Sequence, residues 1–201
     1  MLKLKKIAIT GGLSCGKSSV CSFLSELGAY VVSADAIVHQ LLSVETNLAQ
    51  EIIKLLGTKI LVDQKINRSV IAQMVFQDFN LLQQLEKILH PAVYSEIDKQ
   101  HAEQEKKCPQ PTLFVAEIPL LFESKHNSFD VIVVVVANEK ICEERFTKKN
   151  SLATDHYQQR VSRQMPLSEK AKLANYVIIN DGSYGDLKQQ TLSLYKKLIT
   201  N

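Results

Sequence analysis

Residues 11–18 of the 201-residue chain read Gly-Gly-Leu-Ser-Cys-Gly-Lys-Ser, the spacing G-x-x-x-x-G-K-[ST], and this stretch limits the fold more than any other. Such a loop works only between a buried strand, which aims it, and a helix whose N-terminus faces its ligand. Both neighbours are legible. Ile7-Ala-Ile-Thr10 is an apolar run on one side. From Lys17 onward Val20, Phe23, Leu24 and Leu27 fall on one helical face, with Gly28 placed to close that helix in a left-handed conformation. In this setting the backbone of Gly11, Gly12, Leu13, Ser14, Cys15, Gly16, Lys17, Ser18 and Ser19 can ring a phosphate group with inward N–H donors. Lys17 then reaches the β- and γ-phosphates of a nucleoside triphosphate, and the Ser18 hydroxyl is offered to Mg2+.

Apolar runs separated by helical patterns extend this local reading to the whole chain and predict a parallel sheet with crossover helices. Strands are expected at Lys6–Thr10, Tyr30–Ser33, Thr112–Ala116, Val131–Val136 and Tyr176–Ile179. The unbroken β-branched run Val131–Val136 suits a central strand covered on both faces. The expected fold class is α/β: a three-layer α/β/α P-loop NTPase arrangement around a five-stranded parallel sheet, with its core in residues 1–35, 112–145 and 176–201. Residues of about 36–110 and about 146–175 are helical in pattern and too long for plain crossovers. The first is expected to be a helical substrate-binding insertion and the second a lid. Glu103–Pro111 reads as a surface loop, and Leu187–Ile199 as an amphipathic packing helix.

Charge and cysteine usage exclude several function classes. A net charge of +3 is too small to mark a nucleic-acid binder, which needs a concentrated basic face. The positive charge gathers instead between Lys140 and Lys172, where eight basic side chains meet four acidic ones. Cys15, Cys21, Cys108 and Cys142 form no CxxC pair and no metal-like spacing, which argues against a zinc site or disulfide framework and suits a reducing cytoplasm. No apolar run is long enough to span a bilayer, and none at the N-terminus resembles a secretory signal, so a cytoplasmic protein without a membrane partner is expected. The sequence carries no signal for an oligomeric state.

The nucleotide is expected to be ATP, because no Asn-Lys-x-Asp segment follows a strand where guanine would be read. Leu113-Phe-Val-Ala-Glu117 ends in a glutamate where a motor ATPase would carry an aspartate after four apolar residues, although Glu117 can still orient metal-bound water. A small-molecule kinase fits the length and the basic segment. Its acceptor hydroxyl needs a group to orient it and take its proton. Asp35 follows the strand Tyr30–Ser33, and ligands of open parallel sheets bind beyond the carboxyl ends of strands. The same position suits an N-cap for a helix beginning near Ala36, and position alone leaves both readings open.

These residues bring the chain to a known pattern: it resembles the dephospho-CoA kinase family over nearly its whole length. The resemblance is carried by Ile9–Ser18, Ser33-Ala-Asp-Ala-Ile37, Leu89-His-Pro91, Ile118-Pro-Leu-Leu-Phe-Glu123, Gln164-Met-Pro-Leu167 and Val177-Ile-Ile-Asn-Asp-Gly182. It implies ATP-dependent phosphorylation of the ribose 3′-hydroxyl of dephospho-CoA, giving coenzyme A and ADP in the last step of CoA synthesis, with Mg2+. By the resemblance Asp35 is the catalytic base, and Ser33 stands where the family's Asp-Ala-Asp signature has its first aspartate. His90, ahead of Pro91, reads from the residues alone as a structural histidine near a helix end; by the resemblance His90, Pro119 and Leu120 border the acceptor, and Asn180 and Gly182 the adenine. Asn180 and Gly182 equally suit an ordinary strand-ending turn.

Arg145, Lys149, Arg160 and Arg163 fall in the basic stretch, on helical segments flanking a short break around Asn150-Ser-Leu152. By the same resemblance Arg145 opens the lid and acts beside Lys17 in catalysis, Arg160 and Arg163 are expected to bind substrate, and Lys149 replaces a frequent arginine. A closing arginine neutralises charge on a transferring phosphoryl group. Two alternatives stay open at this stage: another small P-loop kinase acting on a nucleoside, nucleotide or small alcohol, and a nucleotide-dependent switch without catalysis.

Overall fold

The structure, a computed structural model, describes residues 3–43, 46–124, 126, 128–150 and 154–200. Its elements follow in chain order. They are β1 (Lys6–Gly11), α1 (Lys17–Glu26), β2 (Tyr30–Ser33), α2 (Ala34–Leu41), α3 (Asn47–Leu56), β3 (Leu61–Val62), β4 (Lys65–Ile66), α4 (Arg68–Gln77), α5 (Phe79–Glu105), β5 (Phe114–Glu117), β6 (Val131–Val136), α6 (Glu139–Asn150), α7 (Thr154–Val161), α8 (Leu167–Lys172), β7 (Tyr176–Ile179) and α9 (Tyr184–Thr200). Two compact units result. One takes the chain up to Ser33 and again from His101; the other is Ala34–Gln100.

The first unit is built on a parallel sheet of order β2-β5-β1-β6-β7. From β1 the chain first builds outward on one side, through β2 and β5, and then on the other, through β6 and β7. The reversal places a crevice beyond the carboxyl end of β1, where open sheets bind their ligands, and residues 11–18 emerge there. Alternate strand residues face opposite sides. Ile7, Ile9, Val115, Val133 and Val135 join Val20, Phe23 and Leu24 of α1 and Leu187, Leu194 and Leu198 of α9 in one core. On the other face Ala8, Phe114, Ala116 and Val134 are also buried, and His101 from the end of α5 meets the Phe114 ring edge-on at 5.1 Å. With both faces covered, the sheet is the middle of three layers.

Helix α1 ends as its sequence predicts. Gly28 takes φ 92°, its N–H donates to the Ser25 carbonyl at 3.0 Å, and the Ala29 N–H reaches back to Leu24 at 3.1 Å. This pair of bonds satisfies the last carbonyls of the helix and needs the left-handed residue that glycine supplies without strain. The expected third strand begins two residues later and ends one later, at Phe114–Glu117, because its ladder opens with Phe114 opposite Lys6, the first residue of β1. It then continues to Glu117, which pairs with Ile9 on one side and Ser33 on the other.

The second unit carries its own core of Leu42, Ile52, Leu56, Ile60, Ile71, Val75 and Leu85. Thr46 caps α3 by accepting from the Ala49 N–H at 3.0 Å. Asn67 caps α4 by accepting from Ser69 and Val70. Two features depart from the helical pattern read in sequence. An antiparallel hairpin joins β3 to β4 through Asp63 and Gln64, both at positive φ, the twist a two-residue hairpin turn demands. Helix α5 also runs through Pro91 instead of stopping near it. A proline removes one backbone donor, but Leu85, Val93, Tyr94 and Ile97 keep an apolar face buried on both sides of it. Among the described residues no helix is long and apolar enough to cross a membrane.

Candidate phosphoryl-transfer site

The loop after β1 is shaped by contacts that exclude side chains. Gly11 has φ 144°, and a Cβ there would stand 2.1 Å from the Val135 carbonyl oxygen of the neighbouring strand. Gly16 has φ 99°, and a Cβ there would stand 2.2 Å from Asn180 Nδ2. Gly16 precedes α1 in a left-handed conformation, and Ser14 also takes a positive φ of 57°. The motif glycines are thus required by the backbone path and by close neighbours, and the amides at the start of α1 bring the positive end of the helix dipole to the loop. Lys17 is buried and its Nζ donates to the Gly12 carbonyl at 2.8 Å.

Ser18 Oγ donates to Glu117 Oε1 at 2.8 Å. The first turn of α1 and the end of β5 therefore bring a hydroxyl and a carboxylate together. Such hard oxygen donors suit Mg2+, which takes one or two protein oxygens and completes its shell with phosphates and water. The residues present fit that ion. Among the described residues no group of three or more His, Cys, Asp or Glu side chains is placed to hold a metal ion.

Residues Pro119 and Leu120 lie in the turns after β5. The Pro119 carbonyl accepts from Thr10 Oγ at 3.3 Å and from Lys170 Nζ at 3.1 Å. Lys170, fully buried on α8, also pairs with Glu123 Oε1 at 2.8 Å, and the same oxygen accepts from the Met165 N–H. Leu167 of α8 packs against Gly12. Sequence reasoning missed Lys170, because nothing in a lysine on a short polar helix marks it as buried.

Two thiols meet under the loop. Cys15 Sγ lies 3.1 Å from Cys142 Sγ of α6, and both residues are buried. The hydrogen bond from Cys142 draws the Cys15 thiol below its ordinary range against the effect of burial, with Lys17 adding to it. The same bond and burial push Cys142 up. Burial likewise pushes Cys21 up. Arg145 is one turn beyond Cys142 on α6, the i, i+3 spacing that shares a helix face, so it lies on the side of α6 that meets the loop. Its Nη1 is buried and has no hydrogen-bond partner among the described residues.

Arg160 of α7 lies over the Phe146 ring, 5.6 Å from its centroid, and Arg163 and Lys149 are exposed. Of the helical break read at Asn150-Ser-Leu152, Asn150 ends α6, and Ser151 and Leu152 lie outside the described residues. Asn180 is buried: its N–H donates to Val136 at 2.8 Å and its Nδ2 to the Cys15 carbonyl at 2.8 Å, so the turn after β7 is bonded to the loop. A Cβ on Gly182 would stand 2.7 Å from the Asp186 carboxylate oxygen Oδ2, which would have to shift. Asp186 and Ser183 reciprocally cap α9, the hydroxyl and amide of Ser183 holding the Asp186 carboxyl below the usual carboxylate range.

In the second unit Asp35 is exposed in the first turn of α2. Because α2 begins at Ala34, the capping place falls to Ser33 and the N-cap reading of Asp35 is removed. His90 is half-buried in the middle of α5, not at a helix end.

Comparison with known proteins places this arrangement in a family. The family described as dephospho-CoA kinase matches residues 5–186. A dephospho-CoA kinase of Protochlamydia amoebophila is 50% identical over 199 residues, 98% of each chain. A crystal structure from Thermus thermophilus superposes with a TM-score of 0.81 at 28% identity, covering 97% of this chain and 98% of the other. A dephospho-CoA kinase from Campylobacter jejuni superposes with a TM-score of 0.69 at 26% identity over 96% of both chains. With the match spanning the phosphate loop, the carboxylate facing it and the turn bonded to it, the chain belongs to the dephospho-CoA kinase family.

Proposed function

We propose that the chain phosphorylates the ribose 3′-hydroxyl of dephospho-CoA with ATP, yielding coenzyme A and ADP, by one in-line transfer. The observation that carries the reading is the Ser18–Glu117 bond beside a glycine loop built for phosphates, in a chain of this family. Loop amides and Lys17 bind the ATP phosphates, and the Asn180–Gly182 turn, bonded to the loop, lies along the adenine. Ser18 and Glu117 would hold Mg2+, which would supply charge neutralisation to the phosphates of ATP. Four free cysteines suit a cytoplasmic enzyme.

Asp35 orients the acceptor hydroxyl and takes its proton, a role supported by its exposed carboxyl immediately after β2. His90, Pro119 and Leu120 line the acceptor side, with the helical unit 34–100 contributing substrate contacts. Residues 146–175 act as a lid; Arg145, just before it on α6, neutralises the transferring phosphoryl group, and Arg160 and Arg163 within it support substrate charge. The test is mass detection of coenzyme A from ATP and dephospho-CoA, in wild type and Asp35→Asn. Asp35→Asn is expected to abolish turnover with ATP binding intact. Unchanged turnover in that variant removes Asp35 from the mechanism, and product formed from a nucleoside monophosphate in place of dephospho-CoA overturns the acceptor.

A further inference from the structure

Lysine is almost never fully buried unless paired, and Lys170, at 0% exposure, spends its ammonium on two specific partners. One is the Pro119 carbonyl at 3.1 Å, the other Glu123 Oε1 at 2.8 Å. The Pro119 carbonyl is shared with Thr10 Oγ, and Thr10 is the residue immediately before Gly11. Glu123 Oε1 is shared with the Met165 N–H, at the approach to α8. One turn before Lys170, Leu167 packs on Gly12. Helix α8 therefore touches the phosphate loop with one side chain and grips both ends of the turn Pro119–Glu123 with another.

We propose that Lys170 is a positioning residue of the kinase reaction: by bridging Pro119 and Glu123 it fixes the turn after β5 at a set distance from the phosphate loop. The inference rests on the reading that this turn borders dephospho-CoA. In-line transfer needs donor and acceptor held in a near-attack geometry, and displacement by about 1 Å can cost roughly 10²-fold in rate. A buried ion pair is a weak source of stability compared with apolar side chains of the same volume. Its geometric consequence is different, since an apolar residue at 170 offers the Pro119 carbonyl no donor.

Lys170→Met alone strips the half-buried Glu123 carboxylate of its cation, with Oε2 buried and already lacking a partner among the described residues, so loss of fold would mask the effect. The informative variant is Lys170→Met/Glu123→Gln, which removes both charges and keeps an acceptor for the Met165 N–H. It is expected to melt close to wild type while kcat/KM for dephospho-CoA falls roughly 10²-fold and KM for ATP stays within about twofold, since the loop amides and Lys17 are untouched. Lys170→Arg, which keeps charge and donors, is expected to recover most of that loss. A double variant with wild-type kcat/KM for dephospho-CoA overturns the proposal, as does a fall in kcat/KM that tracks melting temperature across the three variants. Leu120→Ala reads the underlying assumption separately: an unchanged KM for dephospho-CoA there overturns the acceptor placement of the turn, and the route through Lys170 with it.

Discussion

The Asn180 side-chain amide donates to the Cys15 carbonyl across 2.8 Å, and the same Nδ2 occupies the space that a Cβ on Gly16 would need. The turn after β7 and the phosphate loop are thus fitted to each other through one buried amide. A glycine at 16 and an asparagine at 180 form a single structural requirement, separated by most of the chain.

Asn180→Ala removes the donor and leaves the Cys15 carbonyl buried, at a cost of about 1–3 kcal/mol. For a chain of this size that corresponds to a fall of roughly 3–10 °C in melting temperature. Because the freed group belongs to the loop, KM for ATP is expected to rise more than KM for dephospho-CoA. Thermal melts and paired substrate titrations read the two effects. Equal rises in both KM values refute the loop-specific role.

Ser18 and Glu117 make a second prediction, about metal dependence. Glu117→Gln keeps the size of the side chain and an oxygen able to accept from Ser18 Oγ, but removes the negative charge that a hard divalent cation favours. The Mg2+ concentration for half-maximal rate is expected to rise by about tenfold, since 1.4 kcal/mol of lost interaction is one decade. The melting temperature measured without metal is expected to change little. A Mg2+ titration of the rate that overlays wild type counts against Glu117 as a partner of the ion.

Asp130 gives a pH-dependent prediction. Burial works to raise its pKa, but the Lys6 N–H at 2.8 Å and the Lys3 ammonium at 3.0 Å outweigh that and hold it below the usual carboxylate range. A depressed folded-state pKa means the unfolded chain binds the proton more readily, so stability rises with pH through this region. The contribution is present above the unfolded value of about 3.9 and is lost as pH falls through the folded one. Asp130→Asn is expected to be less stable than wild type near neutral pH, with the gap closing below about pH 4. Urea titrations across that range check it, and a gap that widens in acid contradicts the assignment.

How much of this was legible depends on whether a feature is written in local sequence. The strands Tyr30–Ser33, Val131–Val136 and Tyr176–Ile179 coincide with those read from apolar runs, and Gly28 closes α1 as its position implied. The glycine loop was visible because its residue types are forced by backbone path. The hairpin at Asp63–Gln64 was not, since its turn residues lack the usual glycine and its strands are two residues each. The passage of α5 through Pro91 was hidden because tertiary packing overrides a local break. The bonds Asn180–Cys15 and Lys170–Glu123 span 165 and 47 positions in the chain, and no short-range pattern announces such a pairing.

Arg145 carries a prediction in which stability and activity separate. Its Nη1 is buried and without a partner among the described residues, and a buried donor in that condition costs about 1–3 kcal/mol. A folded chain that keeps such a group at the edge of a phosphate loop is expected to use it on an anion, because guanidinium presents planar paired donors that match phosphate oxygens. Arg145→Ala should then lower turnover by at least about tenfold, the lower end of what a charge-neutralising arginine contributes to phosphoryl transfer. The same substitution relieves the unpaired donor, so the melting temperature of the free protein should hold or rise. ATP should in turn stabilise Arg145→Ala less than it stabilises wild type, since a ligand raises apparent stability in proportion to its affinity for the folded state. A variant that loses stability and turnover together, with the ATP-induced shift intact, assigns Arg145 to packing of α6 and removes it from the transfer step.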